Sequence, residues 1–272
     1  MTYLFSSGYW MGRKPRSSKF DSGVYRLVDL LQPRLAIGSD LACADAVRVE
    51  SSVELFKEGL RSLLPDDLSG AIHWAPPTAH FQYPREAELM DGAVPSRQCE
   101  FIGGRQCART AVEELGVISQ EILKDAEGLP IWPAGLVGSI SHSRGLCGAV
   151  VGSRDRYSCI GLDIERTDRL SDSALRRVMH PKERECLGQS QWVGSVLFSA
   201  KEAFFKAQYP VYGRKPTFHD LILSIHADEG SLRVEGIDHM DATMQSIVRR
   251  MEFRFFSQDA YVITVCLLAG LN

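Results

Sequence analysis

The 272-residue sequence has no apolar run of membrane length. The longest, Tyr261–Leu271, falls well short of the roughly 20 residues a spanning helix needs. Its opening stretch, MTYLFSSGYWMGRKPRSSKF, lacks the basic start and continuous apolar segment of a secretory signal. Cysteines are few, seven in all, at 43, 99, 107, 147, 159, 186 and 266, and none forms a C-x-x-C pair. That scatter excludes a dense disulfide framework and a clustered zinc site, leaving reduced thiols used as small apolar residues. Positive charge is not in excess: 31 Lys and Arg against 34 Asp and Glu leave a formal −3, unlike a general nucleic-acid binder. There is neither an internal repeat nor a low-complexity tract. The expectation is a soluble, cytoplasmic protein that engages neither nucleic acid nor membrane.

What is present is ordinary for a globular chain, with 44% hydrophobic and 24% charged residues. At roughly 150 residues per domain the length suits one large domain or two small lobes. Residues 1–40 carry Gly, Ser, Arg and Pro without a sustained period and read as a loosely ordered arm, with a short helix at Val24–Leu31. Val53–Leu64 places Val53, Phe56, Leu60, Leu63 and Leu64 at helical spacing. The proline-rich passage Pro65–Pro95 reads as irregular connection. Arg97–Leu115 is the best helix of the first half, with Gly116 as its stop. Gly103 and Gly104 inside it each cost about 1 kcal/mol of helix propensity, which implies close approach of another backbone or of a ligand.

From Leu129 onward short β runs take over. Leu146–Val151 and Tyr157–Ile164 are predicted strands joined by a turn at Ser153–Asp155. Ser173–Leu187 reads as helix broken by Pro181, and Gln191–Gln208 as a second strong helix ending before Pro210. Leu221–Ala227, Ser231–Gly236, Ile247–Phe256 and Tyr261–Leu268 read as antiparallel strands. The class is α+β.

Three segments carry chemistry. Gly138–Ser143 (GSISHS) holds adjacent Ser141 and His142; neighbours in an extended chain point opposite ways, so they do not form a nucleophile–base pair. No G-x-S-x-G elbow exists to support a serine hydrolase. Donation from Ser141 and His142 to phosphate oxygens is chemically easier, and a loop with a satisfied histidine is the bland alternative. Gly161–Glu165 (GLDIE) puts Asp163 and Glu165 on one strand face. Such a pair needs compensation, either by an oxygen-preferring cation such as Mg²⁺ or by Arg166 and Arg169 at a solvated edge. Phe198–Lys206 (FSAKEAFFK) places Glu202 and Lys206 four apart on a helix, either a surface ion pair or a metal ligand (or base) beside a phosphate-binding lysine.

In this order and spacing the three segments resemble the motifs of the 4′-phosphopantetheinyl transferases, surfactin-type branch, and more narrowly the enterobactin-synthase component D subgroup. That subgroup's upstream helix pattern R-x-x-E-F-x-x-G-R-x-x-A-R is matched by Arg97, Glu100, Phe101, Gly104, Arg105, Ala108 and Arg109. Its W-P-x-G-x-x-G-S-I-S-H run is matched from Trp132 to His142. The likeness covers about Glu86 to Thr217.

The resemblance implies two similar α/β lobes related by a pseudo-twofold, each a small antiparallel sheet on a long helix, with the site in the cleft between them. The lobes would span 41–153 and 154–272, crossing near Gly152–Tyr157, and one chain supplies both, so a monomer suffices. It implies transfer of the phosphopantetheine arm from coenzyme A to a serine of an apo peptidyl, aryl or acyl carrier, releasing adenosine 3′,5′-bisphosphate. The implied metal ligands for Mg²⁺ are Asp163, Glu165 and Glu202. Arg97, Arg105, Ser141, His142 and Lys206 are the implied coenzyme A contacts. Glu202 is the candidate base, with Glu183 competing, and Lys206 serves the leaving group. The basic stretch Arg166–Arg184 would meet the acidic helix of a carrier serving siderophore, polyketide, nonribosomal peptide or fatty-acid synthesis. A coenzyme A- or carrier-binding module without catalysis, and a Ser/His thioester hydrolase, are the alternatives.

Overall fold

Two antiparallel sheets share one apolar interior in the computed structural model, which describes residues 53–270. The arm expected over 1–40 and the helix at Val24–Leu31 lie outside these residues. Helix α1 covers 53–63. Strands β1 (Ser69–Trp74), β3 (Leu146–Ser153) and β2 (Leu136–Ser143) form the first sheet in the order β1-β3-β2. Helix α2 (Pro84–Glu88) follows β1, and the long helix α3 (Pro95–Glu114) packs on this sheet through Cys107, Ala108, Ala111 and Val112.

The second sheet contains β4 (Tyr157–Arg166), β5 (Leu221–His226), β6 (Ser231–Ile237), β7 (Glu252–Gln258) and β8 (Tyr261–Ala269), ordered β4-β8-β7-β6-β5. Helices α4 (Asp172–Val178), α5 (Pro181–Leu187), α6 (Gln191–Tyr212) and α7 (Ala242–Val248) belong to this half. Alternation along β4 decides where each residue goes. Ile160, Leu162 and Ile164 enter the interior shared with β1, β3 and α1, whereas Cys159 joins the opposite core under α6. The observed class is α+β, as the sequence indicates.

Several expectations are corrected. The passage Pro65–Pro95 is not all irregular: Ser69–Trp74 pairs with β3, and Pro84–Glu88 is helical. The Ser-His segment is not a loop but strand β2, in register with β3 from Leu136↔Ser153 to Ser143↔Leu146. Helix α6 runs through Pro210 and stops at Gly213 in the left-handed conformation. A proline in the final turn costs one backbone bond, too little to end a helix whose apolar face is buried. Residues 247 and 248 complete α7 instead of starting a strand. The six described cysteines are all free thiols, and no described helix is long and apolar enough to cross a membrane.

Candidate functional site

The site forms where β2, β4 and α6 meet. Helix α6 can lie close to β4 because residue 161 is glycine: a Cβ there would overlap the Ala203 carbonyl oxygen. This contact sets Glu202 and Lys206 over Asp163. Lys206 Nζ donates to Asp163 Oδ1 at 2.7 Å and to Ser141 Oγ at 2.8 Å. The serine hydroxyl donates to Asp163 Oδ1 at 3.2 Å and accepts the Ile164 N–H at 3.2 Å. One residue from each of three separate motifs thus meets at a single point.

Carboxylate charge in this compartment is undercompensated. Burial, followed by the Asp163 charge, pushes the Glu202 carboxyl up to about 7. The same two causes push Glu165 up to about 7, despite Arg169 Nη1 standing 3.3 Å from its Oε2. Asp163 Oδ2 is buried without a hydrogen-bond partner. Among the described residues no three His, Cys, Asp or Glu side chains already stand close enough to hold a cation. The donor set nevertheless fits a hard divalent ion: three carboxylates, one with an unused buried oxygen, against Lys206 and Arg169 as the present counter-charges.

On the other side of β2 the charge reverses. His142 turns away from Ser141, and its Nε2 accepts from Arg97 Nη1 while its Nδ1 lies 3.3 Å from Glu100 Oε2. Desolvation first, then the charges of Arg97, Lys206, Arg105 and Lys124, hold its imidazole down to about 3. Arg105 is 5% exposed; burial brings its guanidinium to about 10, and its Nε donates to the Ile122 carbonyl at 2.6 Å. Lys124 shares this compartment, its Nζ 5.0 Å from the centre of the Phe101 ring and its pKa lowered by burial and then by Arg105 and Arg97. Sequence reasoning missed Lys124, which sits on no periodic element; its only signal is position just ahead of the Trp132–His142 run.

The predicted site residues therefore divide. Asp163, Glu202, Lys206 and Ser141 come together, with Glu165 beside them, while Arg97, Arg105 and His142 form the adjoining cationic side. Glu183 is committed elsewhere. Its Oε2 accepts from Lys201 Nζ at 2.7 Å and from the His180 N–H at 2.8 Å, and its Oε1 accepts the Leu223 N–H at 2.8 Å. Both residues of that ion pair are buried, so the carboxylate anchors α5 to β5 and α6. In the basic stretch, Arg166 and Arg169 pair with Asp168 and Glu165, while Arg176, Arg177 and Lys182 are exposed. Gly103 and Gly104 face protein rather than ligand: a Cβ would meet Cys147 Sγ at 2.7 Å and Ile140 Cγ2 at 2.8 Å.

Both halves of the chain match known proteins. Residues 85–152 match the 4′-phosphopantetheinyl transferase N-terminal domain, and residues 159–266 match the 4′-phosphopantetheinyl transferase superfamily. The 4′-phosphopantetheinyl transferase PptT of Mycobacterium tuberculosis is 38% identical over 176 residues, covering 61% of this chain and 77% of that protein. Npt of Nocardia iowensis is 35% identical over 175 residues, covering 63% and 79%. Enterobactin synthase component D of Salmonella typhimurium is 32% identical over 185 residues, covering 65% and 75%. With both halves of the family matched in order and relatives well covered, the chain belongs to the 4′-phosphopantetheinyl transferases.

Proposed function

We propose that this transferase moves 4′-phosphopantetheine from coenzyme A to a serine of an apo carrier protein, with each side of β2 serving a different phosphate of the donor. The observation that carries the reading is the meeting of Ser141, Asp163 and Lys206 within 2.7–3.2 Å, directly beside a separate cationic compartment. Coenzyme A bears a pyrophosphate and a 3′-phosphate monoester, the latter carrying roughly −1.5 to −2 near neutral pH. The monoester suits Arg97, Arg105, Lys124 and His142. The pyrophosphate suits the carboxylate side, where Asp163, Glu165 and Glu202 would hold Mg²⁺. Bound there, the ion supplies neutralisation of the charge that develops during displacement.

The serine oxygen of the carrier forms a bond to the pyrophosphate phosphorus next to the pantetheine, and the bond to adenosine 3′,5′-bisphosphate breaks. Glu202, which faces Asp163 and lies one helical turn from Lys206, takes the serine proton. Lys206 faces the departing phosphate oxygen and supplies positive charge or a proton. Arg176, Arg177 and Lys182 present an exposed basic face to an acidic carrier helix, and one chain acting as a monomer provides every group required.

Hydrolysis of a thioester by Ser141 and His142 is disfavoured, because Ser141 bonds Asp163 and Lys206 while His142 contacts Arg97 on the opposite side. A binding module without catalysis would leave the carrier mass unchanged. Intact-mass analysis of apo peptidyl, aryl and acyl carriers, each incubated with coenzyme A and Mg²⁺, is the test. The expected result is a gain of one phosphopantetheine mass on at least one carrier; no gain on any of them rejects the reading.

A further inference from the structure

Glu86 lies on α2, inside the stretch that the sequence presents as irregular connection, and is only 1% exposed. Its Oε1 accepts from Arg109 Nη1 at 2.8 Å and from the backbone N–H of Ile122 at 2.9 Å. The carbonyl of the same Ile122 accepts from Arg105 Nε at 2.6 Å. One peptide segment is therefore gripped from both sides, by a buried carboxylate and by a buried guanidinium. Two residues further on, Lys124 begins a tight turn. Lys124 bridges Pro130, Ile131 N–H donates to the Leu123 carbonyl at 3.0 Å, and Asp125 Oδ1 accepts the Glu127 and Leu129 N–H groups at 3.0 and 2.8 Å. The turn is internally stiff, so its root at Ile122 determines where Lys124 stands. Arg105 and Lys124 both lie over the Phe101 ring, with Cζ and Nζ at 4.4 and 5.0 Å from its centre.

This cationic compartment needs counter-charge to exist without a ligand, and Glu100 supplies it at one end, 3.9 Å from Arg97. Arg97, Arg105 and Lys124 repel one another, and Arg109 adds a fourth positive charge nearby. Glu86 is the buried anion that faces Arg109 and offsets part of the burial cost on Arg105. We propose that Glu86 is a positioning residue for phosphate recognition: by fixing Ile122 and pairing with Arg109, it sets the spacing of Arg105 and Lys124 to that of a phosphate monoester. The inference rests on the proposed function and adds to it the residue that builds the 3′-phosphate subsite without touching the donor.

The test measures carrier modification with coenzyme A and with 3′-dephospho-coenzyme A, for the parent and for Glu86→Gln and Glu86→Asp. Glu86→Gln is expected to raise KM for coenzyme A about tenfold while leaving kcat, and KM for the dephospho donor, within about twofold. Glu86→Asp, which keeps the charge, should recover part of the loss. In a Lys124→Ala background the effect of Glu86→Gln should shrink, since the group it positions is gone. A purely structural glutamate would lower the melting temperature and affect both donors alike, and that outcome overturns the proposal. Failure of both Glu86 variants to fold likewise assigns Glu86 to the core alone and overturns it. A parent that transfers from neither donor rejects the proposed function itself, and a parent with equal KM for both donors rejects the monoester assignment.

Discussion

Lys206 Nζ stands 2.7 Å from Asp163 Oδ1, where it serves as counter-ion to a carboxylate that a divalent cation would also claim. Lysine and cation therefore compete for one charge. Lys206→Met should cost about 2–3 kcal/mol in chelator, because it strands a buried carboxylate. Added Mg²⁺ should return more stability to the variant than it adds to the parent. Thermal melts of both proteins with and without Mg²⁺ measure this; a deficit that Mg²⁺ leaves unchanged places the cation away from Asp163.

The approach of α6 to β4 gives a second prediction. Gly161→Ala would drive a methyl into the Ala203 carbonyl, which is backbone and has nowhere to yield. The helix must shift, at about 1–3 kcal/mol of stability. Glu202 and Lys206 shift with it, and a displacement near 1 Å lowers turnover about a hundredfold. Gly104→Ala is the comparison: its methyl would come within 2.8 Å of the Ile140 Cγ2 methyl, a side-chain contact and not a backbone one, and it gains about 1 kcal/mol of helix propensity. Denaturant melts and single-turnover transfer compare the two; equal damage from both would show that the α6 contact is not special.

A third expectation concerns pH. Glu202 titrates at about 7 in the folded protein against an ordinary 4.5, so its charged form is disfavoured by folding. The stability tied to its proton is fully present below about pH 4.5 and is lost as pH rises through about 7. Glu202→Gln should match the parent near pH 5 and melt higher at pH 8, by roughly 2–4 °C for each kcal/mol relieved. The scan is run in chelator. A variant that gains no ground between pH 5 and pH 8 contradicts the electrostatic description of the site.

The Lys201–Glu183 pair separates a structural role from a catalytic one. Glu183→Gln alone leaves a buried ammonium unpaired and should destabilise by roughly 3–5 kcal/mol. Adding Lys201→Met removes the stranded charge and should recover much of that loss. Carrier modification by the double variant decides the role: transfer should return with stability, whereas a stable but inert double variant would restore Glu183 as the base.

Much of the site was legible because its residues fall at fixed offsets within short elements. The i,i+2 carboxylates of β4 and the i,i+4 pair of α6 needed only strand and helix periodicity to be placed on common faces. Legibility ended where partners across the fold decide the structure. Ser69–Trp74 is a strand because β3 supplies its hydrogen bonds, and its own SGAIHW shows no clean alternation amid prolines. Leu136–Ser143 looks like a loop for the same reason, being rich in Gly and Ser yet paired along its full length. Lys124 and Glu86 lie on a tight turn and a five-residue helix, neither of which leaves a periodic trace. The partners of Glu183, Lys201 and the Leu223 amide, are likewise set across the fold and leave no trace in spacing.

The apolar interior between the two sheets has a bearing on whether the chain can be divided. Leu146 and Val150 from one half press against Ile160, Leu162, Ile164 and Val265 from the other, and all are essentially shielded from water. Cutting the chain at the turn after Ser153 would expose that whole surface on both fragments, so neither half is a self-sufficient module. The groups assigned to the monoester stand on one half, and most of those assigned to the pyrophosphate stand on the other. Both sets of groups therefore depend on one shared interior, and a fragment ending near Ser153 is expected to lose both together.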